Sequence, residues 1–442
     1  MERLSRRTLD GLDHRPAIRP GDAGVGVVHL GLGAFHRAHQ AVFTEDAIAK
    51  GGGDWAIAAV APSSRSVLDP LIEQDLLYSV LTLDAERVRP RVLGVHAAAL
   101  HAAGDPAGVE ARLADPAVRV VTLTVTEKAY SRDSAIFRLL VRGLRARGGA
   151  PVALLSCDNL PSNGRRLREL VVAELGESIV ESVGFPCSMV DRIVPASTEG
   201  TYAMAQAALG VVDRAAVAAE PFSQWVIEDD FPADRPAWEL AGAIFTDDVA
   251  SWERLKLRML NGVHSALAYL GALAGAPTID RALALPGMRA AMESFIRTDI
   301  APTLRPPEGL SIQRYGESVL ERFSNPALRH RTLQVAMDGT QKLPQRLLGT
   351  IADRRAAGAT PRYAALVLAA WMRFVRGRAD DGTPLPLDDP LADRLRAAPS
   401  LLELDAVFPP GFADDAELRA ELDEWGKALQ RHGVVGTLGA LP

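Results

Sequence analysis

The sequence predicts an α/β protein: an N-terminal doubly wound sheet domain over residues 1–248, followed by a mostly α-helical domain over 249–442. Three observations carry this. Short β-branched, apolar runs alternate with Ala- and Leu-rich helical segments through the first part of the chain. Each run ends in polar, turn-forming residues, as strands of an open sheet do where they meet ligands. After residue 250 runs of strand type nearly vanish. The length of 442 residues supplies ample core for two or three domains. A hydrophobic share of 48% against 24% charged is an ordinary globular balance. The net charge of −6 argues against a nucleic-acid or membrane-surface protein. Cys157 and Cys187, the two cysteines, cannot form a disulfide framework or a four-thiolate zinc site. No signal-peptide core and no uninterrupted membrane span are present, so a soluble, cytoplasmic protein is expected.

Residues 1–20 are polar and proline-bearing and read as a lead-in arm. The first strong element is the apolar strand Gly24-Val-Gly-Val-Val-His-Leu30. It meets Gly31-Leu-Gly33-Ala-Phe35-His36-Arg37-Ala-His39-Gln40, then a helix from Ala41 to Lys50. Gly31 permits a tight turn, Gly33 permits close approach of a pyrophosphate, and a helix N-terminus offers N–H groups to the anion. His36 stands where a third glycine is expected. This Rossmann-like turn makes Gly31, Gly33, Phe35, His36 and Arg37 candidates for cofactor contact. A second strand, Trp55 to Val60, ends in Ala61-Pro-Ser63-Ser64-Arg65, without the acid that would hold a free ribose 2′-hydroxyl. Two hydroxyls and an arginine admit a 2′-phosphate, the alternative being a solvated loop. NAD is therefore the expected cofactor, with NADP possible.

Two further strands follow. Val118 to Val125 ends in Thr126-Glu127-Lys128-Ala-Tyr130, and Val152 to Leu155 in Ser156-Cys157-Asp158-Asn159. Thr126 and Glu127 join the cofactor candidates. Asn159 is either a turn residue or a neutral donor aimed at a substrate oxygen. Helices are predicted near 66–77, 106–115, 134–147 and 164–177. From 178 to 245 the pattern changes. Ser188 to Pro195 and Glu220 to Phe231 read as strands that extend the first domain's sheet, and the acids and prolines of 228–248 as the boundary.

In the second domain one stretch stands out, Lys256-Leu-Arg-Met-Leu-Asn261-Gly-Val-His264. At about 100° per residue, with Lys256 at zero, His264 falls at roughly 80°, Asn261 at roughly 140° and Glu253 at roughly 60°. All four share one side of a helix among apolar neighbours. Burial disfavours the charged form of a lysine and fits it to act as a base near neutral pH. The alternative is a solvated lysine on a helix edge, with Asn261 and His264 satisfied locally. His36 and His39, an i, i+3 pair, lack an acid or thiolate to complete a zinc site, so no metal is expected.

These motifs, in this order, resemble the mannitol dehydrogenase family of polyol-specific long-chain dehydrogenases. The resemblance runs from Gly31 to about residue 375 and rests on the Gly31–His39, Thr126–Tyr130, Ser156–Asn159, Ser188–Arg192 and Lys256–His264 stretches. Ser156-Cys-Asp-Asn-Leu-Pro, Asn325-Pro-Ala-Leu-Arg-His330 and Met337-Asp-Gly-Thr-Gln-Lys342-Leu-Pro344 are most similar to its fructuronate reductase branch. The resemblance implies a zinc-independent NAD(P) dehydrogenase with its substrate between the two domains. It implies Lys256 as catalytic base, Asn261, His264 and Asn159 around the reacting oxygen, and Glu253 as a proton relay. It places Asp191 and Lys342 on the substrate. Gln334 stands where mannitol-type members tend to have arginine, which argues against plain mannitol specificity. The expected partner is a small polyol, ketose or hexuronate, on a monomer or small homo-oligomer. The alternatives are mannitol 2-dehydrogenase, another hexitol or pentitol dehydrogenase, and mannitol-1-phosphate 5-dehydrogenase.

Overall fold

A computed structural model describes residues 1–126 and 129–441. The chain divides into two compact units, Met1–Ala250 and Ser251–Pro442. In the first, six parallel strands form one sheet: β1 (Val25–Leu30), β2 (Ala56–Ala61), β5 (His96–His101), β6 (Val120–Leu123), β7 (Val152–Ser156) and β8 (Val183–Gly184). Their spatial order is β5-β2-β1-β6-β7-β8, so the winding reverses between β1 and β6. The ends of those two strands are where an open α/β sheet takes a ligand. The strands are apolar runs because both faces are covered. Val27, Ile57, Ala59 and Val120 pack on one side. Val28, Ala58, Val60 and Val121 pack on the other.

Two small sheets flank this one. β3 (Tyr78–Leu83) and β4 (Val88–Leu93) form a hairpin to which β10 (Val217–Ala219) adds in parallel. β9 (Ser188–Asp191), β11 (Gln224–Ile227) and β12 (Ile244–Phe245) form a sheet of their own. The 188–195 and 220–231 segments therefore do not extend the main sheet: β9 pairs antiparallel with β11, and neither joins β8. The N-terminal arm is tied down rather than loose. Leu4, Leu9 and Leu12 bury themselves with Leu77, Val92 and Leu209.

The second unit is helical around Gly262–Leu273, whose residues are all buried except His264, which is half-buried. The helices Thr332–Ala336 and Arg362–Val375 pack on it, and Arg362–Val375 packs in turn on the C-terminal helix Ala416–Gly439. Among the described residues no helix is long and apolar enough to cross a membrane. One feature departs from α-geometry: Lys256–Asn261 is a π-helical turn between the α-helices Val249–Leu255 and Gly262–Leu273. Two more π-helical segments, Phe295–Ile300 and Pro344–Leu348, pack against it.

Candidate active site

At the end of β1, Gly31 has φ +114, and a Cβ there would lie 2.1 Å from the Thr124 carbonyl oxygen. Glycine is required because the β6 strand end presses on the turn. Gly33 differs. Its φ is −109, and a Cβ there would meet nothing closer than the Gly31 carbonyl oxygen at 3.7 Å. The chain itself leaves that backbone open, and an open backbone at the switch point fits the pyrophosphate of a dinucleotide. The helix after the turn starts earlier than predicted. It spans Ala34–Ala38, breaks at His39 and resumes as Gln40–Gly51.

Two of the cofactor candidates have side chains that face inward. His36 is wholly buried, stacked on His29 at 3.4 Å, with its Nε2 3.0 Å from that of His96. Arg37 is also buried. Its guanidinium donates to the carbonyl oxygens of Gly33 and Ala215, and it lies over the Tyr78 ring. Both side chains brace the turn from behind, because its outer face belongs to backbone rather than side chains. Phe35 is half-buried and stacks on His39, whose Nε2 bonds the Gln224 carbonyl, so His36 and His39 point into different surroundings. Ser63 is exposed after β2, and its carbonyl accepts from His101. Arg65 pairs with Asp69 at 2.6 Å. Thr126 is exposed with φ +69, and Glu127 lies outside the described residues.

Asn159 is exposed at the end of β7. Beside it the Asp158 carboxylate accepts from the N–H groups of Val125 and Thr126, which ties the ends of β6 and β7 together. Asp191 is buried at the end of β9. Its neighbour Arg192 donates to the carbonyl oxygens of Ala38 and Glu220, and burial lowers its pKa to about 10.

In the second unit Lys256 and Asn261 are buried at the two ends of the π turn. An i→i+5 turn brings residues five apart nearer to one another around the axis than α-geometry, which would rotate them by about 140°. The Lys256-x4-Asn261 spacing therefore sits on a π turn rather than on the α-helix the spacing predicts. Glu253 is half-buried one turn earlier. His264 stacks on Phe323 and meets the His330 ring edge-on, each at 4.7 Å. Its Nε2 is buried with no hydrogen-bond partner among the described residues. Burial, then His330, Arg346, Lys342 and Arg322, hold its pKa well below the usual histidine range. Burial and Lys342 lower His330 to about 4. Both rings are therefore neutral at pH 7.

The Lys342 ammonium donates to the Met337 carbonyl at 2.6 Å, and Asp338 Oδ2 lies 4.0 Å away. Arg346 donates to Ser265 Oγ. Gly262 admits the 344–348 segment that carries Arg346: a Cβ there would stand 2.9 Å from the Arg346 carbonyl oxygen. Arg329, His330 and Arg331 lie on the same stretch of chain as Lys342. Arg329 and Arg331 are exposed, and the cations that act on His264 with Lys342 are Arg322 and Arg346. Gln334 is exposed on the helix Thr332–Ala336. A buried amine, a buried carboxamide and a neutral imidazole on one helical run can move a proton and hold an oxygen that gains negative charge. Among the described residues no group of three or more His, Cys, Asp or Glu is arranged to hold a metal ion.

Known proteins share this architecture. Residues 25–240 match the model of the mannitol dehydrogenase Rossmann domain, and residues 248–407 that of the mannitol dehydrogenase C-terminal domain. The chain is 40% identical to the D-mannonate oxidoreductase of Escherichia coli (strain K12), over 94% of this chain and 95% of that protein. It is 37% identical to the mannitol 2-dehydrogenase of Cereibacter sphaeroides, over 87% of each. Among solved structures, the Pseudomonas fluorescens mannitol 2-dehydrogenase, in ternary complex with NAD and D-mannitol, superposes with a TM-score of 0.90 at 32% identity, over 99% of each chain.

Proposed function

The chain belongs to the mannitol dehydrogenase family, and from that premise we propose that it is an NAD-dependent dehydrogenase that interconverts a keto-hexuronate and its hexonate. The observation that carries the choice of substrate is the set of cations around His264. Arg322, Lys342 and Arg346 all bear on a neutral ring with a buried, unpartnered Nε2. A neutral hexitol has no need of three cations. A hexuronate brings a carboxylate whose desolvation must be matched by charge or by several N–H donors. The 40% identity to a D-mannonate oxidoreductase supports the same reading.

In the oxidative direction Lys256, as free amine, takes the hydroxyl proton. The Gly31–Gly33 turn would hold NAD, which would supply the hydride acceptor for that carbon. Asn261 and Asn159 donate to the oxygen, and the neutral His264 orients it. Glu253 passes the proton from Lys256 to water. Lys342 and Asp191 hold the rest of the sugar acid, while Gln334 has no charge to offer it. In reduction Lys256 is the acid. No step in this scheme calls for zinc, so activity should survive a strong chelator.

A second reading, a hexitol dehydrogenase of mannitol 2-dehydrogenase type, is supported by the TM-score of 0.90 to such an enzyme. The deciding experiment compares kcat/KM for fructuronate and fructose with NADH, in wild type and in Lys342→Met. Fructuronate should be preferred. The preference should fall roughly tenfold or more in the variant, as expected when a charge-assisted hydrogen bond is lost. Fructose as the better wild-type substrate would hand the assignment to the hexitol reading.

A further inference from the structure

The loop after β7 is fixed from two sides. On one side the Asp158 carboxylate takes three donors from the β6 end: Val125 N at 3.1 Å, Thr126 N at 2.9 Å and Tyr130 Oη at 2.9 Å. Thr126 is β-branched yet holds φ +69, a conformation that persists only where the surroundings impose it. On the other side stands Asn163, 1% exposed at the first turn of the helix Asn163–Leu175. Its Nδ2 donates to the carbonyl oxygens of Asp158 at 3.0 Å and Ser188 at 2.8 Å. Its Oδ1 accepts from the N–H groups of Ser188 at 3.0 Å and Gly164 at 2.8 Å. Two donor and two acceptor places are thus filled, which is the capacity of a carboxamide. The helix start is also seated by Gly164, where a Cβ would lie 2.4 Å from the Phe185 carbonyl oxygen. Ser188 opens the strand that carries Asp191.

Between these two fixed points the chain exposes Asn159. We propose that Asp158 and Asn163 are positioning residues that set the place of the Asn159 carboxamide for the reaction. Asp158 ties its backbone neighbour to the β6 end, and Asn163 ties the same peptide to the start of β9. The inference rests on the reading that Asn159 donates to the reacting oxygen. An oxyanion donor works only if it is held at the place where charge develops, and a displacement of about 1 Å costs on the order of 10²-fold in rate. Backbone strain at Thr126 and a fully engaged buried carboxamide are the kind of support that such a donor requires.

The test is a double-mutant cycle on kcat, with Asn163→Asp, Asn159→Ala and the pair. Asn163→Asp keeps the two acceptor contacts and sets a carboxylate oxygen against two carbonyls, so the loop must shift. Expected is a fall in kcat of roughly ten- to a hundredfold. In the Asn159→Ala background the same substitution should cost less than about twofold, since its effect runs through a side chain already gone. Additive losses, or a silent Asn163→Asp, would overturn the positioning role while leaving Asn159 as a donor. Wild-type kcat in Asn159→Ala would instead remove the reading on which the role rests. If Asn163→Asp does not fold, Tyr130→Phe, which withdraws one donor from Asp158, enters the same cycle and is judged by the same non-additivity.

Discussion

At the strand ends of the first unit the polar groups stand on exposed loops held from behind. In the second they stand on a helix buried on nearly every side. Asn159 and Thr126 are exposed and held by Asp158 and Asn163, and the glycine turn is braced from within by Arg37 and by His29, His36 and His96. Lys256 and Asn261 are themselves buried, and their alignment comes from a distortion of the helix. The difference suits the chemistry proposed for each region. A dinucleotide needs open backbone and a rigid turn. A proton-transferring amine needs a low dielectric, which lowers its affinity for the proton, and neighbours that do not let it swing away. A π turn is rarely favoured for its own sake and is frequent at functional sites.

The largest effect should come from the buried helix. Lys256→Ala removes a proton transfer worth on the order of 10²–10⁴ in kcat. NADH binding should stay nearly intact, because Lys256 is outside the unit that carries the glycine turn. Steady-state rates with fluorescence titration of NADH measure both. A variant with wild-type kcat at neutral pH would break the division of labour.

Within the first unit the two glycines should part company. Gly31→Ala faces both a left-handed backbone and the Thr124 carbonyl oxygen at 2.1 Å. It should cost more than about 1 kcal/mol from the backbone alone, with the clash adding to it, and appear as a lowered urea midpoint. Gly33→Ala has an ordinary φ and no clash. It should keep the midpoint and raise the NADH dissociation constant by roughly tenfold, about 1.4 kcal/mol. If Gly33→Ala binds NADH as wild type does, the open backbone is not the pyrophosphate cradle.

Acid should also act on the first unit. Burial lowers His29 and His96 to about 3, with His36 well below the usual range, so all three are neutral when folded. The unfolded chain takes up their protons near pH 6.5. Between pH 6.5 and about 3 it therefore binds more protons than the folded chain, and stability falls as pH falls. The slope is at most about 1.4 kcal/mol per pH unit for each histidine. Urea midpoints from pH 7.5 to 5 should show a decline that His96→Gln reduces. An unchanged slope in that variant would detach the acid response from the stack.

The contrast also explains what the sequence could disclose. β1, β2, β6 and β7 were legible because burial on both faces leaves uninterrupted apolar runs, and their alternation with helices predicts a mostly parallel, doubly wound sheet, while the strand order is seen only in the fold. β4 was not legible, because exposed Arg89 and half-buried Pro90 and Arg91 break its apolar pattern, and edge strand β5 was not, because all but its first residue are only half-buried. Lys256, Asn261 and His264 could be placed on one face, but their spacing was measured on an α-helix and hides the π turn. His36 and Arg37 were read outward because charge in a glycine motif suggests a ligand. Only the fold shows Ala215 and His96 waiting inside. Arg322 and Arg346 lie far from His264 in sequence and carry no local signal, and Asp158 and Asn163 read as turn residues until their partners at the ends of β6 and β9 are seen.

The smallest effect concerns the 2′-position of the cofactor ribose. The β2 end offers Ser63 and Ser64 but no acid, and Arg65 is held by Asp69 in a pair whose side chains are 56% and 45% exposed. Exposed pairs of this kind are worth about 1 kcal/mol or less. A 2′-phosphate can therefore compete for Arg65 at little cost, while a free hydroxyl gains nothing from it. NAD use with measurable NADP use follows. Two substitutions should move the ratio in opposite directions. Ser63→Asp places a charge against the phosphate and should lower kcat/KM for NADPH by roughly fivefold, the scale of one exposed charge, with NADH little changed. Asp69→Asn releases Arg65 and should raise NADPH use by a similar factor. Both effects should shrink as salt screens the loop. If the wild type already rejects NADPH by thousands, or if Asp69→Asn is without effect, the ribose is read elsewhere and the β2 loop is only a solvated turn.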